Sequence, residues 1–172
     1  MSRKTMGVLA AVLVVSAAAV FLSSRGTGEK SGLPLALGAL RLEQAVTGSE
    51  ASAMINRMHG KGVTPKSNAI GMYEGAAGTA TLYLSVYEEP RDAARGRRDM
   101  IAGILTGHTP FSGLERRTSH GHDLSYCTGE GQAHYFFAVG PSLYWLAVDF
   151  PVAEATLEAL LTSRKPAPGW GG

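Results

Sequence analysis

Seventeen consecutive residues without a charge, Met6 to Leu22, constrain this chain more than any other feature of its sequence. Arg3 and Lys4 stand before the run and Arg25 after it. As a helix it would be about 26 Å long, near the lower limit for crossing the hydrocarbon core of a bilayer. A cleaved signal peptide has the same basic start and apolar middle, so the far end must separate the two. The best small-x-small site, Ala17-Ala18-Ala19, lies inside the apolar run, and no cysteine follows for lipid attachment. The stretch reads as an uncleaved transmembrane anchor, with a cleaved signal or a buried core helix as alternatives. Either membrane reading keeps the basic N-terminus in the cytoplasm and exports the remainder of the chain. The expected organisation is a cytoplasmic stub at 1–5, the anchor or signal segment at 6–22, a Gly- and Ser-rich linker at 23–38, an exported domain at 39–163 and a flexible tail at 164–172. The expected location is the bacterial inner membrane, single-pass, with the C-terminal domain in the periplasm.

Charge and cysteine usage exclude several function classes. The formal charge is +2, yet residues 39–163 hold 10 Lys and Arg against 13 Asp and Glu. The excess positive charge therefore lies outside the folded region, which lacks the electrostatic footprint of a nucleic-acid binder. A lone cysteine, Cys127, rules out an intrachain disulfide, a CxxC zinc site and covalent haem. It reads as a small buried hydrophobe.

From residue 39 onward two hydrophobic periods alternate. Leu40, Leu42 and Ala45 suggest a first strand. A helix over Glu50–His59, capped by Ser49 and stopped by Gly60, carries a short stripe of Ala53, Met54, Arg57 and Met58. Asn68–Glu74 and Thr79–Tyr87 predict a hairpin across Gly75-Ala76-Ala77-Gly78. Pro90 opens a second helix, ended by Gly107, with Ala93, Ala94, Met100, Ile101, Ile104 and Leu105 inward. Strands then follow at Leu114–Ser119, His122–Cys127, Gln132–Val139 and Leu143–Phe150. Pro151 opens a last helix with Val152, Ala155, Leu157, Leu160 and Leu161 inward. This order predicts an α+β fold: a mostly antiparallel sheet packed on two or three helices, after the N-terminal membrane helix.

Symmetric hairpins, with Tyr126 opposite Ala133 and Phe137 opposite Tyr144, would sort the last strands into two faces. His122, Leu124, Tyr126, Ala133, Tyr135, Phe137, Tyr144, Leu146 and Val148 share one. Asp123, Ser125, Cys127, His134, Phe136, Leu143, Trp145, Ala147 and Asp149 share the other. On that mixed face Phe136 and Trp145 form a partner surface if exposed, or core if a loop or the Arg-rich helix covers them.

Three sets of residues are candidates for chemistry. Asp123, Ser125 and His134 could meet on the mixed face, but no nucleophile elbow or oxyanion loop accompanies them. His120 and His122 have i, i+2 spacing and need a third ligand, from His108 or His134, to make a Zn or Cu site. Arg91, Arg95, Arg97 and Arg98 crowd the start of the second helix, interleaved with Asp92 and Asp99. They read as a solvated face with an Arg95–Asp99 pair, or as a docking surface for lipid headgroups or an acidic partner.

The stretch from Gly71 to Tyr87, with His134-Tyr-Phe-Phe and Leu143-Tyr-Trp-Leu, resembles the exported domain of single-pass bacterial anti-sigma-factor-type membrane proteins and related exported domains of unknown function. That family carries a zinc-binding, sigma-inhibiting region before its membrane helix, whereas only Met1–Thr5 precede the helix here. The resemblance therefore implies an exported domain but no sigma inhibition. The expectation is a membrane-anchored binding domain, an accessory subunit of an envelope complex, with no catalytic activity and no cofactor inferred. Its partner would be a membrane or envelope protein, met through Phe136 and Trp145 or through Arg91, Arg95 and Arg98. The alternative is an envelope metal-binding protein or hydrolase using His120, His122, His134 and Asp123.

Overall fold

A computed structural model describes residues 31–59 and 65–163. The apolar run Met6–Leu22, with its anchor reading, and the tail at 164–172 lie outside the described residues. Among the described residues no helix is long and apolar enough to cross a membrane.

The chain forms an α+β fold. Strands β1 (Ala36–Leu37) and β2 (Leu40–Thr47) lead into helix α1 (Gly48–His59). The hairpin β3 (Ser67–Gly75) and β4 (Gly78–Val86) precedes helix α2 (Pro90–Leu105). Four strands follow, β5 (Ser112–Ser119), β6 (His122–Gly129), β7 (Gln132–Val139) and β8 (Ser142–Val148), and then helix α3 (Ala153–Ser163). All pairings are antiparallel, in one eight-stranded sheet of order β1-β2-β3-β4-β8-β7-β6-β5. Two four-stranded meanders are thus joined edge to edge through β4 and β8, with α2 as the crossover between them.

Local chemistry accounts for the hairpins. A two-residue type I′ turn needs positive φ at both central residues. His120 and Gly121 (φ 50° and 75°) supply it between β5 and β6, and Glu130 and Gly131 (φ 52° and 79°) between β6 and β7. The tight Glu130-Gly131 turn sets Tyr126 opposite Tyr135, two residues from the expected register with Ala133. A slip of two preserves face parity, so both faces sort as expected. Phe137 does lie opposite Tyr144.

The sheet curls around α3, which touches β1 near one edge and reaches β5 near the other through Arg117 and Glu154, 4.0 Å apart. On this concave face Leu124, Tyr135, Phe137 and Leu146 bury themselves against Leu157, Leu160 and Leu161. The opposite face carries two helices side by side. Ala51 and Ile55 of α1 pack on Val46 and Ile70. Ala93 and Ile104 of α2 pack on Leu143, Cys127, Phe136 and Trp145. A buried amide ties α1 to the sheet: Ser85 Oγ donates to Asn68 Oδ1 at 2.7 Å, and Asn68 Nδ2 donates to Ser52 Oγ at 2.9 Å.

Four expectations need correction. The linker does not extend to residue 38, because Leu33 and Leu37 are buried in the main core and β1 pairs with β2. Ser49 lies inside α1 rather than before it, since the helix starts at Gly48. Leu105, expected inward, is 70% exposed, because the buried face of α2 centres on Ala93 and Ile104. Ala155 is exposed while Ala153 and Thr156 are buried, because at about 100° per residue Ala155 falls on the far side of α3 from Leu157, Leu160 and Leu161.

Candidate functional site

The mixed face of the sheet is interior. Phe136 is fully buried and Trp145 is 8% exposed, their rings 5.5 Å apart beneath α2. Of the two alternatives open in the sequence, the core reading holds, because the Arg-rich helix itself covers this face. Neither aromatic is available to a partner.

His134 is held as a neutral ring. Trp145 Nε1–H can only donate, and it donates to His134 Nδ1 at 3.0 Å. The proton therefore sits on Nε2, which donates to the Gly129 carbonyl at 3.0 Å. Burial pushes the pKa of this imidazole down, opposed by the Gly129 carbonyl and Glu130. Protonation would also set an N–H against the indole N–H. Because the folded-state pKa lies below the unfolded one, the unfolded chain takes up the proton first as pH falls. The stabilisation is complete above about pH 6.5 and declines below it, by up to about 1.4 kcal/mol per pH unit. Urea titrations between pH 7.5 and 5 should show this decline and lose it in His134→Gln; an unchanged slope in that variant would assign the decline elsewhere.

With both ring nitrogens engaged, His134 has none left for a metal. It also lies far from the other two histidines. His134 faces Cys127 across the ladder, five residues along β6 from His122. That is about 17 Å, and the odd spacing places His122 on the opposite face. His122 is 7% exposed, with its ring 6.1 Å from Phe137 and its Nε2 without a hydrogen-bond partner. His120 is exposed at the turn, its Nδ1 3.0 Å from Ser119 Oγ and its Nε2 3.7 Å from Glu158. Among the described residues no group of three metal-ligating side chains forms.

Asp123 and Ser125 are engaged by arginines rather than by His134. Arg97, reaching down from α2, places one guanidinium nitrogen 3.3 Å from Asp123 and donates another to Ser125 Oγ at 3.1 Å. Arg116 donates to the other Asp123 oxygen at 2.7 Å. The Arg116 hydrogen bond, aided by Arg97, holds the Asp123 carboxyl below the usual range. This grouping fastens α2 to β5 and β6. The sequence shows Arg97 among its neighbours but not this role, which depends on the face that Asp123 occupies. Asp149 is a similar staple, accepting from Thr79 N at 2.7 Å, Thr79 Oγ1 at 3.0 Å and Gln132 Nε2 at 2.9 Å.

Cys127 is fully buried, and burial pushes its thiol up to about 11, so it is unreactive at neutral pH. A half-open hollow of about 180 Å³ lies at the Ser31 end of the sheet, between Thr47, Asn68 and Val86. It is smaller than the roughly 300–1,000 Å³ of a small-molecule site.

The remaining candidates, Arg91, Arg95 and Arg98, all stand exposed on the outer face of α2. Arg95 meets Asp92 at 3.7 Å rather than Asp99. Arg91 and Arg98 have no ion-pair partner among the described residues. Arg91, in the first turn of α2, opposes the macrodipole and gains from an external anion. No protein-family model matches the chain, and no significant match occurs among curated proteins or solved structures.

Proposed function

We propose that this chain is a single-pass bacterial inner-membrane protein whose α+β domain stands in the periplasm as a non-catalytic interaction module. It acts as an accessory subunit of an envelope complex, through the outer face of α2. One observation carries the choice of surface: Arg91, Arg95 and Arg98 stand in solvent, while Phe136 and Trp145 are internal. The anchor rests on the uncharged run Met6–Leu22 and its basic flanks. The resemblance of the hairpins to exported anti-sigma-type domains points the same way.

Native mass measurement after mild detergent extraction tests the reading. The 18.0 kDa chain should migrate within a larger assembly of fixed stoichiometry. Arg91→Glu/Arg95→Glu/Arg98→Glu should release it as a lone chain with an unchanged Tm. A wild-type chain that is already alone would refute the proposal.

A further inference from the structure

α2 sets a regular seam against solvent. Arg91, Arg95, Arg98, Ala102 and Leu105 are spaced by 4, 3, 4 and 3 residues. At about 100° per residue they fall within a strip about 80° wide, opposite the buried Ala93 and Ile104. All five are exposed, Leu105 by 70%. This 4-3 rhythm is the one by which one helix packs along another. The seam is basic over its first two turns and apolar at its end.

From this geometry we infer that the seam docks an amphipathic helix of a partner protein. Resting on the proposed interaction role, this names the partner's chemistry: carboxylates at i, i+4 and i+7 facing the arginines, followed by an apolar side chain against Ala102 and Leu105. Charge decides between such a helix and a lipid surface. Asp92 and Asp99 flank the seam, and Glu88 and Glu89 precede it, all but Asp92 exposed. An anionic bilayer pressed on α2 would meet these four carboxylates together with the arginines. Discrete carboxylates on a helix can pair with Arg91, Arg95 and Arg98 one by one and leave the flank in water. Arg97 is already turned inward to Asp123 and Ser125, which keeps it out of the seam.

Site-specific photocrosslinking of the full chain in its native membrane tests this. Benzoylphenylalanine at position 102, on the seam, is compared with the same probe at position 130, in the β6–β7 turn. The expected result is a protein adduct from position 102 whose crosslinked peptide is helical and bears carboxylates at i, i+4, i+7 spacing. Its yield should fall at least tenfold in Arg95→Glu/Arg98→Glu and less in Arg95→Gln/Arg98→Gln, with Tm unchanged in both. An adduct indifferent to charge reversal, an adduct to lipid alone, or a crosslinked peptide without carboxylates overturns the inference. Adducts from 130 but none from 102 overturn it while leaving the domain an interaction module. Adducts from neither position sink both.

Discussion

Replacing Phe136 with alanine is expected to remove about 3–5 kcal/mol of folding stability, read as a lowered urea midpoint at constant m. The ring is fully buried, 5.5 Å from Trp145 and in contact with the cluster of Ile104 and Cys127. Its removal empties the centre of the layer between α2 and the sheet. Ile104 and Cys127 are fixed to different elements and cannot both move in to fill the gap. For a domain of this size the Tm should drop by roughly 10–20 °C. Below the new transition the outer face of α2 is intact, so any partner bound through Arg91, Arg95 and Arg98 should be retained. A loss under about 1 kcal/mol, with the partner lost as well, would mean that Phe136 belongs to a contact surface instead.

A second large effect is expected from adding a single carbon at the end of β6. A Cβ on Gly129 would lie 2.4 Å from Phe111 Cδ1 and 2.9 Å from the Pro110 carbonyl oxygen. The backbone oxygen cannot swing away as a side chain would, so the segment before β5 must shift. Phe111 covers both His134 (4.8 Å) and Trp145 (5.2 Å), and its displacement opens that end of the layer to water. Gly129→Ala should therefore cost about 2–3 kcal/mol, at the upper end of overpacking penalties. In a Trp170→Phe background the emission of Trp145 should move to the red. Adding Phe111→Ala should relieve part of the clash, giving a coupling between the two sites in a double-mutant cycle. Unchanged emission and stability would show that the loop accommodates the methyl group.

These two sites also mark where the sequence is legible and where it is not. The alternation Leu124, Tyr126 and Tyr135, Phe137 assigns both sheet faces correctly, because the period of two survives a register shift of two. The number of residues in the β6–β7 turn is not readable in the same way. Thr128-Gly129-Glu130-Gly131 offers two glycines, and the choice rests on Glu130 accepting φ 52°. The pairing of β4 with β8 has no local signal at all, since it joins strands more than fifty residues apart through a helical crossover. That junction puts α2 over Phe136 and Trp145 and turns an apparent patch into core. The inward pull of Arg97 is hidden for the same reason: its partner Asp123 comes from the far meander. Leu105 is readable in principle. It lies about 120° around α2 from Ala93, too far to share one buried face.

What matters most is whether the folded domain lies across the membrane from the cytoplasm. Labelling of Thr118→Cys, exposed on β5 and away from the α2 seam, in intact spheroplasts with a membrane-impermeant maleimide tests this directly. The native Cys127 is buried and should stay silent until denaturation. Position 118 should label promptly without permeabilisation, on a chain that sediments with membranes. Labelling that appears only after lysis, on a chain recovered in the cytosol, would overturn the proposed placement.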